Sequence, residues 1–367
     1  MNGTKYVAMD VHTATISVAV LDDHGKLIME SVIEAKGATI IQFIQGLRGE
    51  LILTFEEGTW SAWLYDLLQP YVANIVVCDP RRNALLQEGS ANDRIDARKL
   101  AELLRAKLLR SVYHGQNGLR TLKELARAYL TITKDLVRIM SRIKAIYRSW
   151  GIPCAGESVY NPRHREEWLR KIAQPSVRRR AEFFYGQLDA LVPLRKQARQ
   201  ELLADSIKHP AWKLLRSIPS LGPIRAAVVM AIVQTPHRFR TKRMLWKYSG
   251  FGVVTQTSAD HRYVDGQLRR SKKPAFVRGL DPAHNHQLKD VFKSAAIQAS
   301  TTKGPFREFY ESLVAKGMRP EMARLTLARK IATISWMVWK SMPTPRLCRL
   351  LSGNSGWEGL GLRPESA

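Results

Sequence analysis

The sequence predicts a mixed α/β domain followed by helical regions, and three observations predict it. Short β-rich runs alternate with helical segments over residues 5–78, the pattern of a mixed sheet. Apolar residues then recur at alternating steps of three and four from Leu122 to Trp150, a heptad sustained over a long helix. From Leu214 the text changes to LLRSIPSLGPIRAAVVMAIV, where a further, mainly helical, globular domain begins.

The elements follow in order. KYVAMD at 5–10 and ISVAVL at 16–21 are separated by a short turn, and KLIMESVI at 26–33 follows the turn signal Asp23-His24-Gly25. The three form a meander. An apolar segment at Ile40–Leu47, the run LILTF at 51–55, an aromatic-rich helical stretch from Ser61 to Leu68 and NIVVC at 74–78 complete the alternation. NDRIDARKLAELL at 92–104 reads as a helix.

The heptad Leu122, Leu125, Tyr129, Ile132, Leu136, Ile139, Ile143, Ile146, Trp150 stops at Gly151-Ile152-Pro153, where glycine and proline break the helix. Its stripe has two uses: association between protomers, or an intramolecular coiled coil with residues 180–205. Residues 161–200 carry ten Arg or Lys, including Arg178-Arg179-Arg180. They are either a solvated arm or an antiparallel partner for the first long helix that also grips phosphates. The expected division is 1–110, 111–207, 211–345 and a tail at 346–367.

Charge narrows the function. The 58 Lys and Arg against 32 Asp and Glu give a net +26 over 367 residues, a field that favours a polyanion. A hydrophobic fraction of 45% is enough to fold such a chain, which excludes a disordered basic tail. Cys78, Cys154 and Cys348 are far apart, without zinc-site pairing or disulfide density. With no signal layout and no run of 18 apolar residues, a cytoplasmic protein without a membrane partner is expected.

Against this basic background a few acids stand out. Asp10 closes the first strand, Glu56 and Glu57 end the fourth, and Asp93 and Asp96 share one face of a helix, because a spacing of three puts side chains side by side. Carboxylates from a strand tip, a neighbouring strand end and a crossing helix converge only around a cation, and oxygen donors select Mg²⁺ or Mn²⁺. Two such ions serve phosphodiester cleavage by activating the attacking oxygen and stabilising the leaving one. SIPSLGPIRAA at 217–227 has the layout of a helix-hairpin-helix turn around Gly222, which offers backbone N–H groups to a phosphate. KYSGFGVVTQTSADHRYVDGQLRRSKK then joins an apolar stretch to a loop with Ser258 and the basic residues Arg262, Arg269, Arg270, Lys272 and Lys273.

MDVHTATISVAVLD, FEEGTWSAWLYDLL, NDRIDARKLAELL and the region from SIPSLGPIRAA to AAIQAS together resemble the DEDD-type insertion-sequence transposases related to the Piv DNA invertases, the bridge-RNA-guided recombinases. The resemblance runs over residues 5–340. It implies an RNase H/RuvC-like N-terminal domain in which Asp10, Glu56, Asp93 and Asp96 bind Mg²⁺, and a C-terminal domain with a serine nucleophile. In that family the serine stands eight residues after the glycine of a Gly-Leu-x-Pro segment, and Gly250 plus eight is Ser258. The family's proline is Val253 here, the glycine after the serine is Ala259, and Thr257 offers a second hydroxyl. AHNHQLKDVFKSAA resembles the family's Asn-x-x-Leu-Lys/Arg helix, with Asn285 and Lys289 at the matching positions as nucleic-acid contacts.

The resemblance further implies donor and target DNA, an element-encoded noncoding guide RNA whose base pairing reads sequence, and a homo-oligomer, dimer or tetramer. Strand transfer through a covalent intermediate conserves phosphodiester energy. The chain accordingly carries no G-x-x-x-x-G-K-[ST] loop for ATP. The competing function is a junction-resolving nuclease that uses the carboxylates and water alone.

Overall fold

The computed structural model describes residues 3–80, 92–114, 119–256, 261–264, 267–270 and 276–342. The chain forms two compact units, Met1–Gln116 and Asn117–Ala367.

In the first unit, β1 (Lys5–Val11), β2 (Thr15–Leu21) and β3 (Leu27–Glu34) form the antiparallel meander. The turn before β3 is tied by the Asp22 carboxylate, which accepts from the backbone N–H of His24 at 3.0 Å and of Lys26 at 2.8 Å. Gly25 sits there at φ +89°, a conformation that side chains with a Cβ resist. After α1 (Gly37–Gly46), β4 (Leu51–Glu56) pairs parallel to β1. After α2 (Ser61–Leu68), β5 (Asn74–Cys78) pairs parallel to β4. The strand order is β3-β2-β1-β4-β5.

Alternation along the strands separates two faces. Val7, Met9, Leu53 and Phe55 pack in one core with Ile40 and Ile44 of α1 and Leu64 and Leu68 of α2. Ala8, Ala19 and Leu21 face the other way, where α3 (Asp93–Arg105) closes the second core with Ala97, Leu100 and Ala101. Arg98 points off this core and grips Glu30 of β3 through both carboxylate oxygens.

The second unit opens with α4 (Arg120–Ser149), followed by the short α5 (Arg165–Arg170) and by α6 (Pro175–Ser206). Tyr147 meets Tyr185 at 3.0 Å between hydroxyls, while the Arg195 Nε–H donates to Thr133 at 3.2 Å. The partner's number rises as the helix number falls, so α4 and α6 run antiparallel. Leu136, Ile139, Ile143 and Ile146 of α4 are buried with Ala181, Tyr185 and Leu188 of α6. Leu122, Ala126 and Tyr129 join Ala198 and Leu202 in the core of the C-terminal helices.

Of the two uses open to the heptad, the structure has the intramolecular one. Its stripe from Leu122 to Ile146 is buried or partly buried within the chain, and Trp150 at its end stays half exposed. Likewise 161–200 is no solvated arm, since most of it is α5 and α6.

Beyond lie α7 (Pro210–Arg216), α8 (Pro223–Val233), α9 (Lys242–Tyr248), the short strands β6 (Val253–Gln256), β7 (His261–Val264), β8 (Gln267–Arg270) and β9 (Phe276–Leu280), then α10 (His286–Thr301), α11 (Pro305–Ala315) and α12 (Pro320–Lys340). β6 pairs with β9 and β7 with β8. The described residues of the segment expected as a basic loop, 261–264 and 267–270, are thus strand. No helix among the described residues is long and apolar enough to cross a membrane.

Candidate active site

The first unit gathers acids on one face of its sheet. Asp10 and Glu56 each stand one residue beyond the pair Met9 and Phe55, which are partners in the parallel ladder of β1 and β4. Both therefore share the parity of Ala8 and Thr54 and emerge on the α3 side. Asp93 and Asp96 occupy the first turn of α3, behind an Asn92 cap whose side chain accepts from Ile95 N–H at 2.9 Å. Acids at a helix N-terminus complement its dipole, so this placement helps α3 even without a ligand.

His12, which the sequence reading passed over, lies among them. Its Nε2 is 3.2 Å from Asp10 Oδ2 and 3.5 Å from Asp93 Oδ2. Asp10, His12 and Asp93 each place a ligand atom within 4.8 Å of the others. His12 stands one residue past the end of β1, where its backbone N–H donates to the Thr15 carbonyl at 2.9 Å, so the turn rather than strand alternation brings it beside Asp10. Glu56 lines a cavity of about 260 Å³ together with Val11, His12 and Thr13.

The electrostatics are those of a carboxylate cluster with no cation. Burial raises the Asp10 carboxyl above the usual range, Asp93 and Asp96 raise it further, and His12 works against the shift. Oδ1 of Asp96 is buried without a hydrogen-bond partner, although buried carboxylate oxygens ordinarily accept several bonds. An orphaned oxygen beside two more carboxylates fits a divalent cation, and His12 adds a nitrogen donor that Mn²⁺ tolerates better than Mg²⁺ does.

Glu57 is directed elsewhere, with its Oε2 accepting from His114 Nε2 at 2.6 Å, and the His114 ring stacks on Tyr65. Neither glutamate is in the group that gathers within 4.8 Å, which among the described residues is Asp10, His12 and Asp93.

In the second unit the expected residues scatter more widely. Gly222 is the N-cap of α8, with Pro223 in the first turn. Gly250 adopts φ +73°, and a Cβ there would stand 2.5 Å from the His284 ring. The motif glycine is thus fixed by close packing as well as by its turn. Asn285 caps α10, its side chain accepting from Leu288 N–H at 2.9 Å, and Lys289 follows one turn on.

Arg178 is bound to the Ile172 carbonyl through Nε at 3.2 Å and Nη2 at 2.8 Å. Arg179 pairs with Glu182 at 2.8 Å, and Arg179 and Arg180 lie over Phe183 and Phe184. Arg262 belongs to β7, and Arg269 and Arg270 belong to β8. Ser258, Thr257, Lys272 and Lys273 lie outside the described residues.

Two transposase family models match the chain. A DEDD transposase domain of the IS110 type covers residues 7–149, and a domain described as Transposase IS116/IS110/IS902 family covers residues 212–311. The chain belongs to the IS110/IS116/IS902 transposase family. Comparison with curated proteins gives no match.

The five-stranded sheet with its helices is accordingly the transposase's RNase H-like DEDD domain, and the chain is an enzyme of DNA transposition. The four acids fall inside the first match and Gly222, Ser258, Asn285 and Lys289 inside the second, whereas Arg178–Arg180 lie between the two. Membership brings DNA as the partner and a divalent metal as the requirement of the DEDD domain.

Proposed function

We propose that this transposase cuts and rejoins DNA strands, with Asp10, Glu56, Asp93 and Asp96 holding Mg²⁺ or Mn²⁺ and Ser258 as the nucleophile, and that an element-encoded noncoding RNA directs it. The observation that carries the metal site is the convergence of Asp10, His12 and Asp93 within 4.8 Å beside the unpartnered Asp96 oxygen. A bound divalent cation would neutralise these charges and polarise the scissile phosphate.

The chain's own residues do the rest. Asp10 and Glu56, fixed on adjacent strand ends, give the site a rigid floor, and Asp93 and Asp96 meet them from α3. Ser258 Oγ forms the bond to phosphorus and gives up its proton, while the bond from phosphorus to a deoxyribose oxygen breaks and that oxygen takes a proton. The product is a phosphoserine-linked strand end, and attack on it by another strand's hydroxyl reverses the step. One phosphodiester is exchanged for another, so no ATP is consumed. Ser258 rests on its position after Gly250 and on the second family match. Exchange of strands calls for several protomers.

A reaction stopped after cleavage tests this reading. DNA attached to protein, resistant to boiling in detergent and released by protease, is expected for the wild type and for Thr257→Ala, and is expected to be absent for Ser258→Ala. An adduct lost in Thr257→Ala and kept in Ser258→Ala moves the nucleophile by one residue. Cleavage with no adduct in any of the three proteins means that water attacks and the enzyme is a hydrolytic nuclease.

A further inference from the structure

The second unit holds a cavity that the cleavage chemistry leaves unused. It measures about 870 Å³ and is lined by Arg243, Trp246, Lys247, Phe251, Gly252, Val253, Val254, Asp281 and Arg329. This is within the range of pockets that enclose small organic ligands. Arg243 and Lys247 are four apart on α9, which places them on one face. Arg329 comes from α12 and is anchored by its Nε–H, which donates to the Phe251 carbonyl at 3.0 Å.

None of these three cations has a salt bridge among the described residues. Arg329 is moreover half-buried, and desolvation alone pulls its pKa below the usual arginine value. A guanidinium taken partly out of water without a salt bridge calls for an anion.

The other wall is aromatic. Trp246 is held by its own Nε1–H, which donates both to the Arg329 carbonyl and to the Thr333 hydroxyl at 3.1 Å, so the indole is fixed before any ligand arrives. Asp281 adds an acceptor at the rim. One Asp281 oxygen accepts from Ala283 N–H at 2.9 Å, which uses one of its several acceptor positions.

An anion-binding cluster, a pinned indole and a carboxylate acceptor in one recess match the parts of a nucleotide. Phosphate is attracted by guanidinium and ammonium groups, a base stacks on an aromatic ring, and base N–H groups donate to a carboxylate. A recess of this size has room for an unpaired nucleotide.

We propose that this cavity captures a single unpaired nucleotide of a bound strand, with its phosphate on Arg329, Arg243 and Lys247 and its base against Trp246. The inference depends on neither the acid cluster nor Ser258.

The test uses the full-length protein without metal, so that no cutting occurs, and fluorescence anisotropy. The probes are a short DNA duplex, the same duplex with one central bulged nucleotide, and that duplex with the bulge made abasic. A parallel RNA series separates the two sources of an unpaired nucleotide. Wild type should prefer the bulge to both other probes by about tenfold in at least one series.

The double variant Arg243→Gln/Lys247→Gln, and separately Arg329→Gln and Trp246→Phe, should each shrink that preference several-fold more than they weaken duplex binding. The exposed double variant guards against misfolding, and thermal melting of every variant checks it. Equal affinity for all three probes, a preference that survives in every variant, or a parallel loss on duplex and bulge would each overturn the proposal. The last of these outcomes would reduce the cavity to a share of the general basic field.

Discussion

The acid cluster of the first unit and the basic cavity of the second are mirror images in charge. Burial, with Asp93 and Asp96 adding to it, raises the Asp10 carboxyl above its usual range, and burial alone lowers the Arg329 guanidinium, which lines one cavity with Arg243 and Lys247. Like charges drawn together out of water favour a partner of the opposite sign. The acid cluster fits a divalent cation, and the basic cavity fits the anion proposed above. The sign of the missing partner can be read from the sign of the crowd, even in a protein whose +26 makes every acid look like a minor correction.

The largest effect that sharpens this contrast is on cleavage. Asp10→Ala or Asp96→Ala should lower Mg²⁺-dependent cutting by about a thousandfold or more while duplex affinity in EDTA stays within about twofold. The cross-measurement is the sharper one. Mn²⁺ affinity, read by electron paramagnetic resonance, should fall about tenfold or more in Asp96→Ala and should not move in Arg329→Gln. If Arg329→Gln also loses Mn²⁺, or if both acid variants still cut, the two crowds are not independent sites and the comparison fails.

Much of the first unit was legible because its signals are local. Period-two apolar runs marked out the five strands, and a spacing of three put Asp93 and Asp96 in one helical turn. His12 went unread because a histidine two residues after an aspartate means little until the turn that follows β1 is known. The hold of His114 on Glu57, 57 residues away, is likewise announced by no local spacing.

In the second unit the heptad showed that α4 has a partner, but the same stripe serves an intramolecular or an intermolecular coil. Only the pairing of Tyr147 with Tyr185 decides between them. The cavity was invisible for the same reason, since Arg329 and Trp246 are far apart in sequence and meet only when α9 packs on α12.

The arginine run that reads as a single phosphate clamp divides in the fold, and its effect is next in size. Arg179→Ala and Arg180→Ala together should reduce the log–log salt slope of nucleic-acid binding by up to about 1.8, near 0.9 for each duplex phosphate left without its arginine. Arg180 should account for more of this, because Arg179 already shares its charge with Glu182. Arg178→Ala should leave the slope nearly unchanged. It should instead cost about 1 kcal/mol of stability, because its two bonds to the Ile172 carbonyl tie the start of α6 to the segment before it. Equal slope changes from Arg178 and Arg180 would make the run one clamp after all.

The smallest expected effect is on the stability of the metal-free protein, and its sign is the opposite of what a catalytic loss suggests. Burial holds the Asp10 carboxyl above its unfolded value, helped by Asp93 and Asp96 and opposed by His12. Over the pH range between the unfolded and folded values the folded state carries more of this proton, so stability falls as pH rises through that range and stays lower above it. Asparagine cannot ionise and escapes that fall. In EDTA at neutral pH, Asp10→Asn should therefore melt a few degrees above wild type, a difference on the order of 1 kcal/mol. The gap should close as pH drops through the carboxylate range, where wild-type Asp10 is protonated too. Added Mn²⁺ should reverse the order, because the ion stabilises only the protein that binds it well. An advantage for Asp10→Asn that persists unchanged at low pH would trace to packing, and the acid crowd would then lose its claim to be an interaction awaiting its cation.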